Sequence, residues 1–314
     1  MGTSRASLSA LPPSERLHPR ADDLDLLPIR SVVQRLHDED LAAVRSVQRA
    51  LPAVSEAARA VANALRAGGR LLYVGAGTSG RLGVLDASEC PPTFGVPPSQ
   101  VQAAIAGGRR ALTRAVEGAE DDTEAGAAAV RAFRAGPVDV VCGISASAST
   151  PYVLGALREA KGRGAHTVLV CCNPPRARAD VDTVVLARTG PELVAGSTRL
   201  KAGTATKLIL NAITTAAFVA LGKVYRGRMV DVRPANAKLR ARSARMVAEL
   251  TELPPAEASR LLEAAGGEVK LALAMHFTGL DAKAARKQLQ ARGLRALSPS
   301  RQKGARPKRR PAPR

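Results

Sequence analysis

Aromatic residues are scarce in this 314-residue chain, which contains four Phe, three Tyr and no Trp. Proteins that bind single-stranded nucleic acid stack bases on aromatic side chains, so we expect no specific nucleic-acid partner. Acidic residues are also few, 27 against 47 Lys and Arg, and the formal net charge is +20. Such an excess is compatible with nucleic acid, an anionic membrane face or small phosphorylated substrates. We interpret it mainly as a chain-wide bias towards Ala and Arg, strengthened by a basic tail over residues 301–314.

Long apolar runs and metal-binding patterns are absent as well. The longest nearly apolar run, residues 208–221, is too short to span a bilayer and contains Asn211, Thr214 and Thr215. No charged start followed by an apolar segment stands near Met1, so no signal peptide is expected. The four cysteines have no metal-ligand spacing and are interpreted as reduced, buried thiols. We therefore expect a soluble cytoplasmic protein with no membrane partner, no metal and no cofactor.

Short apolar segments alternate with helical patterns through the middle of the chain. Five strands are predicted, over residues 71–74, 101–106, 138–144, 166–172 and 183–187. Long helices are predicted over residues 28–66 and 200–221, and a short one over residues 109–116. Because helical segments connect the strands, the pattern predicts an α/β fold with a doubly wound parallel sheet covered on both faces.

Changes of composition divide the chain into four predicted regions. A hydrophobic content of 46% indicates a globular core, and the length suits one large domain or two ordinary ones. The regions are a mobile N-terminal segment (1–27), a sheet domain with a helical lead-in (28–230), a small C-terminal helical bundle (231–298) and a disordered basic tail (299–314). The tail is rich in Pro and Arg and lacks the apolar residues that a core requires.

A glycine-rich loop follows the first predicted strand and opens a helix. Its sequence, Gly75-Ala-Gly-Thr-Ser-Gly80, fits the G-x-G-x-x-G pattern of dinucleotide-binding proteins. The second strand ends in Arg109 and Arg110 rather than in an acid, which leaves an NADP enzyme open. Thr78 and Ser79 instead suit a terminal phosphate monoester, because hydroxyls beside free N–H groups match its oxygen atoms. A tight turn without a ligand is the structural alternative.

A second hydroxyl-rich loop, Ser145 to Pro151, follows the third predicted strand. Ser147 and Thr150 stand at a helix N-terminus, where side chains and N–H groups are able to bind one anion. The structural alternative is a Ser-rich turn with Thr150 as the N-cap. Two such loops at the carboxyl ends of strands in one sheet together predict a sugar-phosphate pocket at a switch point of the topology.

Two groups of acidic residues stand near these loops. One is Asp86 and Glu89 on the helix after the glycine-rich loop, and the other spans Glu117 to Asp122. Carboxylates beside a phosphate pocket are candidates for a general acid and a general base. From spacing alone, acids that cap helices or remain in solvent are the more common outcome.

The stretch from Gly75 to Gly95 closely resembles the signature of the N-acetylmuramic acid 6-phosphate etherase family, which has a sugar isomerase (SIS) type domain. Four further blocks resemble the same family: Ala115–Asp122, Thr150–Val153, Gly196–Thr204 with Lys207, and Met229–Asp231 with Asn236, Lys238 and Leu239. The resemblance extends from about residue 14 to about residue 297.

The resemblance implies a lyase that removes D-lactate from N-acetylmuramic acid 6-phosphate in cell-wall amino-sugar recycling and leaves N-acetylglucosamine 6-phosphate. By the same resemblance, Glu89 is the acid that protonates the departing ether oxygen, Glu120 is the base, and Lys238 is a weaker candidate for the phosphate. It also implies a homodimer and no metal or redox cofactor. A non-catalytic regulator of SIS type that binds a sugar phosphate is the alternative, because the similar glucokinase regulatory protein only binds.

The chain departs from the family pattern at three places. Family members usually have Ser-Gly-Arg-Thr where this chain has Ser147-Ala-Ser-Thr150. Ala148 is costly there if its φ angle is positive, and the missing arginine weakens the expected phosphate binding. Near the N-terminus, His18 stands where an Asn normally precedes Pro, and His37 replaces the Asn of the usual Asn-x-Glu-Asp. Because both carboxylates are retained, the sequence favours an active enzyme.

Overall fold

The computed structural model describes residues 12–175, 180–231 and 237–298. The chain divides into two compact units, with the boundary between Leu221 and Gly222. The predicted boundary, after residue 230, lies nine residues further on. The predicted tail, residues 299–314, falls outside the described residues.

The N-terminal unit is built on one parallel sheet of five strands in the order β2-β1-β3-β4-β5. The strands are β1 (Leu71–Gly75), β2 (Val101–Ile105), β3 (Val140–Ile144), β4 (His166–Cys171) and β5 (Thr183–Leu186). All neighbouring strands pair in parallel, and Gly75 at the end of β1 is in register with Ile144 at the end of β3. The predicted parallel α/β architecture is confirmed.

Five helices cover the two faces of this sheet. They are α1 (Ile29–Arg66), α2 (Gly77–Phe94), α3 (Thr123–Phe133), α4 (Pro151–Gly162) and α5 (Lys201–Ala220). Alternate residues of a strand point to opposite faces. Leu72 and Val74 of β1 pack in one core cluster with α3 and α4, whereas Tyr73 between them bonds to Asp86 of α2. On that second face, α5 packs against both α1 and α2.

Helix α5 is the one described helix that is long and apolar enough to be considered as a membrane span, with a mean hydropathy of 1.2. Its residues Ile209, Leu210 and Ile213 are almost fully buried within the N-terminal unit. Burial of this kind is typical of the core helix of a globular domain, so the composition of α5 is weak support for a membrane span.

Residues 12–27 have defined contacts, although the sequence predicts a mobile segment there. Short 3-10 turns form at Pro13–Glu15 and Leu24–Leu26. Ser14 is buried: its hydroxyl accepts a hydrogen bond of 2.7 Å from the Asn173 side chain, and its carbonyl accepts one from the Gly196 N–H. These partners lie more than 150 residues away in the sequence, so a local sequence pattern does not predict the contacts.

The C-terminal unit combines a two-stranded antiparallel hairpin with four helices. The elements are β6 (Val224–Tyr225), β7 (Arg228–Met229), α6 (Ala237–Thr251), α7 (Pro255–Ala264), α8 (Val269–Thr278) and α9 (Ala282–Leu297). Tyr225 and Val230 are buried in the same core cluster as Val247 and Leu271 of the helices. The hairpin therefore belongs to this unit, which explains why the boundary precedes the predicted one.

Candidate active site

The two predicted phosphate loops follow adjacent strands, β1 and β3. Strand β1 connects through α2 to β2 on one side, and the chain then crosses to β3 on the other side of β1. The strand order therefore reverses between β1 and β3, where open α/β sheets leave a crevice beyond the carboxyl ends of the strands. Because Gly75 and Ile144 are register partners, the two loops begin side by side at this crevice.

The glycine-rich loop presents the first turn of α2 to the crevice. The first intrahelical bond runs from the Gly80 N–H to the Ala76 carbonyl, at 3.1 Å. The N–H groups of Gly77, Thr78 and Ser79 precede it and have no intrahelical carbonyl to bond. A Cβ at Gly75 would lie 2.7 Å from the Gly80 backbone nitrogen, so this close strand-to-helix approach requires glycine. The Thr78 and Ser79 hydroxyls bond to no other described residue, which leaves them available to an anion.

The second loop forms a connected cluster of four hydroxyl groups before α4. The Ser145 Oγ lies 2.8 Å from the Thr150 Oγ1 and 3.3 Å from the Ser147 Oγ, and the Ser149 hydroxyl donates to Ser147 at 2.9 Å. Thr150 occupies the N-cap position, yet its side chain makes no capping hydrogen bond. The hydroxyls bond to one another and to the N–H groups of Ser149 and Thr150 within the loop, and the Thr150 hydroxyl does not cap α4, which favours the ligand-binding interpretation over a simple cap.

Ala148 lies inside this loop with φ at +59° and is buried. That left-handed conformation is strained for a residue with a Cβ atom and unstrained for glycine. The family's usual glycine at this position therefore has a conformational reason, and the expected cost of Ala148 is present. Hydrogen bonds from the Cys172 and Asn173 N–H groups to the Ala146 carbonyl, 3.0 and 2.9 Å long, hold the loop in place.

Glu120 lies at the mouth of the same crevice. It belongs to a short 3-10 turn, Ala119–Asp121, and is exposed. Ala119 packs against the core cluster that also contacts Ala76, and Glu120 lines a cleft of about 170 Å³ together with Ala76, Gly77 and Arg81. The predicted base therefore stands beside the first turn of α2, where the phosphate is expected.

Glu89 lies apart from this cleft. It is exposed on α2, ten residues after Ser79, and the residues lining the cleft do not include it. With a rise of about 1.5 Å per residue, ten residues correspond to about 15 Å along the helix axis. Within one chain, the structure does not bring the two predicted catalytic carboxylates together.

Lys238 is the one predicted site residue outside the N-terminal unit. Its backbone belongs to α6. Its side chain lies outside the described residues, so its assignment to the phosphate is still a prediction.

Asp86, which the sequence groups with Glu89, is part of a buried polar network. Its carboxylate accepts hydrogen bonds from Tyr73 at 2.9 Å, from Asn211 at 2.9 Å and from Thr214 at 3.2 Å. Burial raises the pKa of this carboxyl above its ordinary value. Because the network joins β1, α2 and α5, Asp86 fixes the helix that carries the glycine-rich loop and does not face the cleft.

The first turn of α5 contacts the glycine-rich loop through residues that belong to the Gly196–Thr204 family block but have no predicted role. A Cβ at Gly203 would lie 3.6 Å from the Thr78 methyl group. The N–H groups of Lys201 and Ala202 both donate to the buried Glu192 carboxylate at 3.0 Å. The Lys201 ammonium donates to Glu39 of α1 at 2.6 Å. This turn is therefore held from two sides, and it supports Thr78.

Comparisons with known proteins find relatives of this chain. Residues 53–161 match the family model described as the glucokinase regulatory protein N-terminal SIS domain. Among solved structures, a phosphoheptose isomerase from Francisella tularensis superposes with a TM-score of 0.48 at 19% identity, and covers 61% of this chain and 98% of its own.

Curated relatives share about half of their residues with this chain. The N-acetylmuramic acid 6-phosphate etherase of Mesorhizobium japonicum is 49% identical over 277 residues, which are 88% of this chain and 90% of that protein. The protein of the same name from Gloeobacter violaceus is 52% identical over 283 residues, 89% and 92% of the two chains. That of Salmonella typhimurium is 50% identical over 280 residues, 88% and 94% of the two chains.

The fold and the family-model match together define an α/β domain of SIS type. Within this class, the sequence identity of about 50% to the curated relatives, over almost the whole chain, identifies one family. The chain belongs to the N-acetylmuramic acid 6-phosphate etherases, which are carbon–oxygen lyases, and the predicted family membership is confirmed.

Proposed function

We propose that this chain binds N-acetylmuramic acid 6-phosphate at the β1/β3 crevice and eliminates D-lactate from it, with Glu120 as the base. The observation that supports this site most directly is the meeting of two helix N-termini, each with free or mutually bonded hydroxyls, beside the cleft that contains Glu120. The N–H groups and hydroxyls of Thr78, Ser79, Ser147 and Thr150 bind the 6-phosphate, and the helix dipoles favour its negative charge.

The proposed chemistry needs one base and one acid. In the open-chain sugar the aldehyde at C1 makes the C2 proton acidic enough for a carboxylate to remove. Glu120 takes this proton, the C3–O bond breaks, and Glu89 donates a proton to the departing lactate oxygen. Water then adds at C3, with its proton returning to C2, and N-acetylglucosamine 6-phosphate results. We place this reaction in cytoplasmic amino-sugar recycling, because all four cysteines are free thiols, as in a reducing compartment.

The distance along α2 between Ser79 and Glu89 determines whether Glu89 reaches substrate bound to its own chain. The lactyl ether oxygen and the phosphorus are separated by six bonds, which span at most about 7 Å. Glu89 lies about 15 Å along the helix from Ser79, and a side chain that leans towards the helix N-terminus recovers only part of the difference. We therefore propose that Glu89 acts on substrate held by a second copy of the chain, in a homodimer.

Exposed apolar side chains on the α1, α2 and α5 side of the sheet support the proposed homodimer. Seven large apolar residues are exposed on the helices of one layer: Ile29, Val33, Leu41, Val44 and Leu51 of α1, Leu85 of α2 and Val219 of α5. The described residues of α3 and α4, on the other face, carry none. Leu85 stands one helical turn before Glu89, so a partner that covers this layer also meets Glu89.

Release of D-lactate from the purified protein tests the proposed function. Ser79→Ala removes one charge-assisted hydrogen bond, which is worth about 1.5–3 kcal/mol, so KM for the phosphorylated sugar should rise about 10- to 100-fold. Turnover of the non-phosphorylated sugar should scarcely change. Ser88→Ala is the matched control, because Ser88 is exposed on α2 and bonds only to the Leu85 carbonyl.

Three results would contradict the proposal. Binding of the phosphorylated sugar without any lactate release identifies a regulator rather than an enzyme. Equal losses on both sugars in the Ser79 variant remove the phosphate from the first turn of α2. A Ser88 variant as impaired as the Ser79 variant shows that the effect is not specific to the crevice.

A further inference from the structure

Arg81 connects the first turns of α2 to the segment that precedes Glu120. It stands three residues after Thr78, on the same side of the helix. Its Nε donates to the carbonyls of Ala111 and Leu112 at 3.0 and 3.3 Å, and one terminal nitrogen donates to the carbonyl of Arg114 at 3.4 Å. A single side chain therefore gathers three carbonyls of one short segment.

The carbonyls belong to the end of a 3-10 helix, Gly108–Leu112, and to the residues just after it. The carbonyls at the end of a helix carry partial negative charge, so a guanidinium group suits them. Within the described part of the chain, Arg81 forms no ion pair with an acid, and its hydrogen bonds go to these carbonyls alone. Neutralising an acid is thus not its role.

The segment held by Arg81 leads directly to Glu120. Its beginning is fixed, because a Cβ at Gly107 would lie 2.9 Å from the Val116 Cβ, which leaves no space between them. Its end is fixed by Ala119, which packs on the core cluster. Between these points, within the described range 12–175, the side-chain hydrogen bonds to the segment come from Arg81 alone, so Arg81 sets the path from Leu112 towards Glu117.

We propose that Arg81 is a positioning residue that fixes Glu120 relative to the phosphate-binding first turn of α2. This inference rests on the proposed function, in which the phosphate is bound at Thr78 and Ser79 and the proton is removed by Glu120. Arg81 joins the two, because it belongs to the helix that binds one end of the substrate and holds the segment that carries the base. A shift of about 1 Å in a reacting group costs up to about 100-fold in rate.

Arg81→Ala and Arg81→Lys test the proposal through two reactions. The first is lactate release, with kcat and KM measured separately. The second is exchange of the C2 proton of N-acetylglucosamine 6-phosphate with deuterium from solvent, followed by NMR. We expect kcat and the exchange rate of Arg81→Ala to fall together by about 100-fold, with KM changed by less than about threefold.

Recovery of these rates provides a further readout. Lysine lacks the forked donors that bond to several carbonyls at once, so Arg81→Lys should recover only part of the rate. Added ethylguanidinium should restore part of the exchange in Arg81→Ala. Arg70→Ala is the control: Arg70 also donates to a backbone carbonyl, that of Arg134, but it lies just before β1 at the amino ends of the strands, where it also pairs with the buried Asp139. It should keep kcat within about twofold in the folded protein.

The exchange reaction separates the outcomes, because the product sugar has no lactyl group. If Arg81→Ala loses lactate release but keeps C2 exchange, Arg81 contacts the lactyl carboxylate and the positioning role is wrong. If Arg70→Ala loses as much activity as Arg81→Ala, the effect is one of general stability and the proposal is again wrong. If the unsubstituted protein releases lactate without Glu120-dependent exchange, it is the base assignment of the proposed function that fails.

Discussion

At the scale of single residues, Ala148 shows the cost of departing from the family pattern. Its φ of +59° is a conformation that costs an alanine about 1–2 kcal/mol, whereas glycine in the unfolded chain costs about 0.5–1 kcal/mol in entropy. We expect Ala148→Gly to raise the free energy of unfolding by about 0–1 kcal/mol, measured by denaturant titration.

Ala146 provides the matched control in the same loop, because its φ is not positive. Ala146→Gly gains nothing from left-handed backbone and should lower the free energy of unfolding by about 0.5–1 kcal/mol. The two substitutions are chemically identical, so opposite signs isolate the effect of φ. A destabilisation of equal size at both positions would show that Ala148 is not strained.

At the scale of secondary structure elements, Asp182 fastens β4 and α4 at the approach to β5. Its carboxylate accepts hydrogen bonds of 2.8 Å from the Thr167 N–H, the Thr167 hydroxyl and the Lys161 ammonium. Burial acts to raise the pKa of Asp182, but Lys161 and Thr167 together outweigh it and hold the pKa at about 2, below the ordinary 3.8.

This depressed pKa makes a pH-dependent contribution to stability. The contribution is present above about pH 4 and is lost as the pH falls from there through about 2. In this range the unfolded chain binds the proton at Asp182 before the folded chain does, so protonation favours unfolding. Since the carboxylate is one-third exposed, we expect Asp182→Asn to lower the free energy of unfolding by about 1–2 kcal/mol at pH 7 and by much less at pH 2.

Asp180→Asn controls for the loss of a charge, because Asp180 also pairs with Lys161 but is 90% exposed. It should change the free energy of unfolding by less than about 0.5 kcal/mol at either pH. Acid titrations of the three proteins, followed by circular dichroism, give the comparison. A difference between Asp182→Asn and the unsubstituted protein that is independent of pH would contradict the electrostatic origin.

The elements also show what the sequence encodes locally. All five strands are predicted to within two residues at either end, because buried parallel strands are short apolar runs bounded by polar residues or glycine. The helix predicted over residues 109–116 is wrong, because a 3-10 helix covers Gly108–Leu112 and no helix continues from Leu112 to Val116. Gly107 and Gly108 have positive φ at its start, and Arg81 takes the Ala111 and Leu112 carbonyls that a continuing helix would use. The hairpin of β6 and β7 has two-residue strands, too short for any periodicity.

In the candidate site, too, features set by local sequence are predicted and features set by distant contacts are not. Both hydroxyl loops are predicted, because glycine and serine directly after a strand are a local pattern. The mutual bonding of Ser145 and Thr150 is also local, yet its geometry depends on the left-handed Ala148. Arg81 and the pair of Glu39 and Lys201 escape prediction, because their partners are distant in the sequence.

At the scale of the whole molecule, the separation of Glu89 from Glu120 leads to a prediction about mixed dimers. Co-expression of Glu89→Ala and Glu120→Ala chains with different tags yields mixed dimers that contain one site with both carboxylates, if Glu89 acts across the interface. The mixed dimers should then have about half the activity of the unsubstituted dimer, because one of their two sites is complete. Lactate release by the doubly tagged fraction measures it.

The control is a mixture of Glu89→Ala with Glu89→Gln, which contains no complete site in any arrangement and should be inactive. If Glu89 and Glu120 act within one chain, the mixed dimers of the first pair also lack a complete site. No recovery of activity, with mixed dimers demonstrably present, would therefore refute the arrangement across the interface.

The packing of α1 against α5 has a consequence for synthesis of the chain. About 135 residues separate the end of α1 from the start of α5, so at about 5–20 residues per second a ribosome needs about 7–27 seconds to make the cover for α1 after finishing it. During this interval the inner side of α1 faces water or chaperones. Small residues dominate that side, with Ala43, Ala50, Ala57, Ala58 and Ala62 among those buried. Because alanine side chains are small, α1 exposes little apolar area for non-specific association before α5 has been synthesised.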